Sequence, residues 1–346
     1  MRGRATTTVP ADLLGLRYRG GGHVESWFLK ANEPGGRRAV WLKTTVFARP
    51  PSADRAHRPV PPVAEAWAIV FDRERGHVAT KITVPFEAAR FGRGTLDVAV
   101  DGCELSLGRA RGAIATGHRR IAWDLEVGPE RASPILHLPS AALYEGAFPS
   151  TKLLTPLADA RVGGSITVDR GDGSEAEAWP VSDWPAMIGH NWGSGHARLY
   201  AWVHCNAWDG VDDLTLEAVS ARVRMGPVLS PMATAVFVRY RGQSWDLNGA
   251  ELLGKNRGSI SLRRWEATAK GKGVVLHADL AAETDDFVGL HYPNPSGAMT
   301  YCLNTKIARA RIELTLPGVG PIVATSRAAA LEIGTREAQH GVRMYV

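Results

Sequence analysis

No stretch of the chain approaches the roughly twenty consecutive apolar residues that a membrane-spanning helix needs. The first residues, MRGRATTTVPADLLGLRYRG, lack the apolar core of a secretory signal. Cysteine is scarce: Cys103, Cys205 and Cys302 are far apart and show no CxxC spacing, which excludes a disulfide framework and points to a reducing compartment. A cytoplasmic protein is expected. The charge excess is small, +6 from 41 basic and 35 acidic residues, and the basic side chains are scattered. Without an arginine-rich run or a basic-aromatic module, nucleic acid is not an expected partner, whereas a peripheral contact with an anionic membrane surface stays open. Also missing are GxSxG, the Walker-type GxxxxGK[ST] and a GxGxxG that opens a helix after a strand. The glycine-rich GLRYRGGGH near residue 20 lacks that strand-turn-helix setting, so neither a nucleotide nor a flavin is indicated, and no cofactor is expected.

What the 346 residues do contain is strand pattern. HVESWFLKA from His23, RAVWLKTTVFA from Arg38 and AEAWAIVFD from Ala64 are rich in β-branched and aromatic residues and are separated by Gly, Pro and charged turns. Similar runs recur to the end of the chain, with no long helical periodicity between them. The fold class is therefore all-β, with few short helices. From Pro134 to Pro156 the chain is punctuated by proline and reads as a long connection. The expected division is an N-terminal β-domain over 1–160 and a C-terminal one over 161–346. WFLKAN and WVHCN hint at duplication, but their Trp-to-Asn spacing differs by one residue.

The densest chemistry lies between Met187 and Asp209, MIGHNWGSGHARLYAWVHCNAWD, with three His, three Trp, a Tyr and two Asn. Its glycines suggest that His190, Asn191 and Trp192 sit in a tight loop. From Leu199, Tyr200, Trp202, His204 and Asn206 alternate with small apolar residues, so one strand face is polar and aromatic, as in a cavity wall, and the other suits a core. A solvent-facing surface or a domain contact would show the same pattern. His190, His196 and His204 are spaced by six and eight residues, neither a helical nor a strand pair, and no metal site is expected.

Through GHNWG, the following His196 and WVHCN, the chain resembles the AttH and hydroxyneurosporene synthase (carotenoid hydratase) group of lipocalin-like proteins and, more distantly, the tocopherol cyclases. ESWFLKAN and FPSTKLLTP add to the likeness, which runs in order through most of the chain. The resemblance implies two lipocalin-like antiparallel β-barrels in tandem, with a hydrophobic ligand pocket inside one of them or where they meet. It also implies enzymes that add water to, or cyclise, long isoprenoid chains.

Protonating an alkene, the first step of such reactions, needs an acid that burial keeps protonated near neutral pH. Glu25, Glu65 and Glu217 are the candidates, and an ion pair of Glu217 with Arg222 or Arg224 is the structural alternative. Indole faces would stabilise a carbocation; Trp27, Trp67, Trp192 and Trp202 are placed for that. The histidines would relay protons. The expected catalytic set is His190, His204, Glu217 and Glu25, and the substrate-binding set is Trp27, Trp67, Asn191, Trp192, His196, Tyr200, Trp202 and Asn206. The function expected is a cofactor-independent lyase or cyclase acting on a lipophilic isoprenoid-like or polyketide-like molecule. A non-catalytic carrier of the same kind of ligand is the alternative.

Overall fold

The structure is a computed structural model that describes residues 9–51, 60–222, 224–225 and 228–346. Strands dominate, as the sequence implies. The first sheet contains β1 (His23–Asn32), β2 (Arg38–Ala48), β3 (Val63–Asp72), β4 (Val78–Pro85), β5 (Arg90–Phe91), β6 (Asp97–Val100), β7 (Cys103–Ser106), β8 (Arg109–Thr116), β9 (Arg119–Val127), β10 (Ile135–Leu136), β11 (Thr151–Asp169) and β12 (Glu177–Gly193). β13 (Leu199–Cys205) and β14 (Leu214–Arg222) open the second; a separate small ribbon of β15 (Arg224–Met225) and β16 (Val228–Leu229) follows. The second sheet continues with β17 (Ala233–Tyr240), β18 (Gln243–Leu247), β19 (Arg257–Ser261), β20 (Arg264–Gly271), β21 (Val274–Ala281), β22 (Val288–Pro293), β23 (Met299–Thr315) and β24 (Ile322–Thr335). The α-helices are short: α1 (Ala142–Glu145) and α2 (Ala250–Leu253). No helix among the described residues is long and apolar enough to cross a membrane.

Each sheet is antiparallel and curls into a half-barrel around its own apolar core. The strand order of the second sheet, β18-β17-β14-β13-β24-β23-β21-β20-β19, corresponds position by position to the first nine strands of the first, β4-β3-β2-β1-β12-β11-β9-β8-β7, which continues into β6-β5. β13 is thus the counterpart of β1, and WVHCN the counterpart of WFLKAN. The one-residue difference in spacing has a direct consequence, because strand side chains alternate faces. With the asparagines aligned, Trp27 points into the first core while Trp202 joins the apolar layer between the two sheets. The chain passes from one sheet to the other between Gly193 and Leu199; residue 160, where the sequence suggests a division, lies within β11.

The layer between the sheets is polar at one end. Lys30 Nζ donates to Asn32 Oδ1 at 2.8 Å and to Asn206 Oδ1 at 3.1 Å, and Asn32 Nδ2 donates to the Lys306 carbonyl at 2.6 Å. Asn206 Nδ2 donates to Asp159 Oδ1 at 2.8 Å and to the Ala186 carbonyl at 2.9 Å. A buried network in which each member has a partner fixes how two surfaces sit, because any slip leaves desolvated groups unpaired. Asn206→Ala is expected to lower stability by about 3 kcal/mol in urea unfolding; a change near zero would show that this network does not hold the sheets.

The loop expected at His190 to Trp192 is absent. These residues are the end of β12 and pair with Trp27, Ser26 and Glu25 of β1. The misreading comes from Gly189. A Cβ there would lie 2.3 Å from Phe28 Cζ, so this glycine is a notch that seats a ring from the neighbouring strand and not a break in the backbone.

Candidate functional site

Beyond the polar network the sheets part around a cavity of about 940 Å³. Its apolar wall includes Phe28, Trp41, Leu138, Leu153 and Trp202. Two of its aromatic side chains are seated in the same way, one from each sheet. Phe28 lies over Gly189, and Tyr200 lies over its cross-strand partner Gly334, where a Cβ would come 1.9 Å from the ring. Seated there, Tyr200 donates its hydroxyl to Glu332 Oε1 at 2.8 Å. Gly334→Ala is expected to push the ring into the cavity and destabilise the protein by about 1–3 kcal/mol. Tyrosine fluorescence and a thermal melt check this; unchanged values would mean that the ring yields freely.

On one wall stands His137, held on the chain just after β10, its ring edge-on to Phe237 with centroids 4.7 Å apart. Its Nε2 lies 3.0 Å from Oε1 of Glu217, which is fully buried on β14. That oxygen also accepts from Trp202 Nε1 and Thr155 Oγ1, each at 2.8 Å. Burial alone raises the pKa of Glu217, but the charge and hydrogen bond of His137, helped by Trp202, outweigh it and bring it down to about 2. Glu217 is therefore an ionised carboxylate that orients an imidazole, the opposite state from a resident proton donor. Its partner is His137 and not Arg222; the side chain of Arg224, the other partner the sequence suggests, lies outside the described residues. His137 itself was hidden: one histidine in PILHLP, between two prolines and off any periodic pattern, carries no sequence signal of a site.

Further along the cavity, His196 stacks on Tyr292 with ring centroids 5.0 Å apart, and its backbone N–H donates to Asn294 Oδ1 at 2.7 Å. Burial, reinforced by the charge of Lys43, lowers its pKa to about 3, so the imidazole is neutral. Five lining residues have a buried polar atom without a hydrogen-bond partner among the described residues: Trp41 Nε1, His137 Nδ1, Asn191 Oδ1, His196 Nδ1 and the Tyr292 hydroxyl.

Other expected residues lie elsewhere. Glu25, His190, Trp27 and Trp192 form a closed cluster beneath the N-terminal segment. His190 is stacked between the two indoles at 4.6 Å from each, Nδ1 donates to the Leu13 carbonyl at 2.8 Å, and Nε2 lies 3.0 Å from Glu25 Oε1. Glu25 also accepts from the backbone N–H groups of Arg17 and Tyr18 at 2.8 and 3.0 Å and from His23. Burial raises its pKa, yet the hydrogen bonds from His190 and His23 leave it below the usual carboxylate value. The cluster pins the N-terminal segment to the first sheet and does not line the cavity. His204 donates Nε2–H to the Ala158 carbonyl at 2.9 Å, and burial lowers its pKa to about 3, so it is a neutral strut between the sheets. Asn206 belongs to the polar network.

Glu25-x-Trp27 and Glu65-x-Trp67 repeat one pattern, with carboxylate and indole on the same face within each pair, but the two pairs lie on opposite faces of the sheet. The register aligns Trp27 with Thr44 and Ala66, but Trp67 with Lys43 and Phe28, on the other side of the sheet. Glu65 is engaged by Lys81 at 2.6 Å. The Trp67 ring has Lys81 Nζ 4.2 Å and Lys43 Nζ 5.5 Å from its centroid, so resident ammonium groups already lie over the face proposed for a carbocation. Of the residues expected from the sequence, Asn191, His196, Tyr200 and Trp202 line the cavity, and Glu217 reaches it through His137. Among the described residues no three His, Cys, Asp or Glu are grouped to hold a metal ion.

Two half-barrels of equivalent strand order, with a ligand-sized cavity between them, define a tandem lipocalin-like architecture. The tocopherol cyclase-like family pattern matches residues 141–335, more than half of the chain, and the chain belongs to that family. The fold is similar to that of an AttH-type protein of Nitrosomonas europaea, with TM-score 0.54 and 17% identity over 91% of this chain and 93% of that one. It is similar also to kievitone hydratase of Nectria haematococca, with TM-score 0.54 and 12% identity over 95% of this chain and 94% of the other. CghA, solved with Sch210972, gives TM-score 0.53 at 9% identity over 90% and 88% of the two chains. In sequence, an uncharacterized protein of Mycobacterium tuberculosis is 27% identical over 306 residues, 86% of this chain and 83% of its own.

Proposed function

We propose that the protein is a lyase or cyclase that needs no cofactor and carries out acid-base-assisted hydration or ring closure on a lipophilic small molecule held between the sheets. One observation carries this reading: an imidazole on the wall of a cavity of about 940 Å³ is backed at 3.0 Å by a buried carboxylate. A cavity for storage alone needs apolar walls and an anchor, whereas an imidazole oriented by a carboxylate is the arrangement that passes protons. In its protonated form His137 gives a proton to the substrate. In its neutral form it takes one from water, or from a hydroxyl closing a ring, so the imidazole is restored over the cycle. Glu217 stabilises the protonated ring. The names of the solved relatives support the reaction class, since one of them is a hydratase. An isoprenoid-like or polyketide-like skeleton fits the apolar lining.

The experiment is to identify by native mass spectrometry the lipophile that purifies with the protein, and to incubate that compound with fresh enzyme in water labelled with deuterium or heavy oxygen. Incorporation of label, or a ring-closed isomer, supports the lyase or cyclase. Recovery of the compound unchanged, with no label after many protein equivalents of time, would make the protein a carrier.

A further inference from the structure

We infer that the cavity takes a lipophilic organic acid, whose carboxylate sits against Lys43 while its apolar body lies along Phe28 and Trp202. This names the ligand class of the site just proposed and rests on that cavity being the ligand site. The first observation is a charge imbalance in an otherwise apolar space. Lys43, Arg198, Arg222 and Arg336 line the cavity against one carboxylate, Glu332, which already accepts the hydroxyl of Tyr200. Among the described residues no carboxylate lies within ion-pair reach of any of the four cations; the guanidinium of Arg336 donates instead to the Met299 carbonyl at 2.7 Å.

The second observation is the surroundings of Lys43. It is 6% exposed, and its ammonium has rings about it, 3.8 Å from the Tyr292 centroid, 5.4 Å from Trp41 and 5.5 Å from Trp67, with no hydrogen-bond acceptor among the described residues. Burial lowers its pKa to about 8, against the raising effect of Glu332 and Glu65 at a distance, so it still carries its charge at neutral pH. Aromatic faces offset only part of the desolvation of a buried cation. An anion arriving with the ligand supplies the missing partner. The same positive potential adds to the burial that keeps His196 neutral, and it repels a carbocation formed nearby, whereas an enolate or carboxylate is drawn to it.

Tryptophan fluorescence reads binding directly, since Trp41 and Trp202 line the cavity. The probes are decanoate, decanol and decylamine, equal in apolar length and different in charge. Decanoate is expected to bind at least about tenfold more tightly than decanol, with decylamine weakest. Lys43→Met is expected to remove about tenfold of that preference, about 1.4 kcal/mol, and Lys43→Arg to keep most of it. Should Lys43→Met fail to fold, Arg336→Gln gives an independent reading, with a smaller loss of preference. Equal binding of acid and alcohol, tightest binding of the amine, no binding of any of the three, or a preference that survives both substitutions would overturn the inference. A clear acid preference in a protein that converts nothing keeps this inference and removes the enzyme reading; turnover of a neutral lipophile with no acid preference does the reverse.

Discussion

His137→Gln is expected to lower turnover of the native ligand by between about a hundredfold and ten-thousandfold. Its main effect should fall on kcat, with ligand binding changed little. Glutamine keeps a donor facing Glu217, so the carboxylate is not left buried and unpaired, which would by itself cost about 3–5 kcal/mol. His137→Ala confounds the two effects and is the poorer variant. Glu217→Gln tests the orienting role from the other side. The amide oxygen can still accept from Trp202 and Thr155, which now donate to Oε1, but the charge that stabilises a protonated His137 is gone. Its loss should be smaller than that of His137→Gln. Two variants that turn over at the parent rate would remove the pair from the chemistry.

Stability is expected to fall steeply on the acid side of neutrality. His204 is wholly buried and titrates near 3 in place of 6.5, so between those values the folded state binds fewer protons than the unfolded one. Lowering the pH below about 6.5 therefore favours unfolding, by up to about 1.4 kcal/mol per pH unit for one such group. His196 acts in the same direction but faces the cavity, where hydration weakens the effect. Glu217, with its folded pKa depressed from 4.5 to about 2, contributes stability that is present above 4.5 and is lost as the pH falls through that range. The slope should thus steepen below about 4.5. On the alkaline side the sign is the same, and stability rises again with pH. Lys30, Lys43 and Lys306 are brought down to about 8 by burial, so raising the pH from there toward 10.5 relieves the penalty of buried charge. Urea midpoints across this range check the pattern; a midpoint flat between pH 6.5 and 4.5 would show that His204 gains its proton without unfolding.

The all-β class was legible because alternation and β-branched runs are local properties, and the alternate faces of β13 were read correctly for the same reason. Trp202 and Tyr200 are at the cavity, and Ala201, Val203 and Cys205 are in a core. What the sequence does not carry is register between strands. Within Glu25-x-Trp27 and within Glu65-x-Trp67 the carboxylate and the indole share a face, as alternation predicts, but only pairing through β2 puts the two pairs on opposite faces. Gly189 looks like a breaker until Phe28 is found lying on it across the sheet. His137 and Lys43 acquire meaning only from partners far along the chain, on β14 and β22 respectively.

The corresponding strand orders have an evolutionary consequence. Each half-barrel keeps its interior with one set of alternating side chains, and the binding chamber is carved from the complementary set on the outer faces. A descendant of this gene can therefore acquire a new substrate by altering the outward set while both interiors remain as they were, so divergence in specificity need not erode foldability.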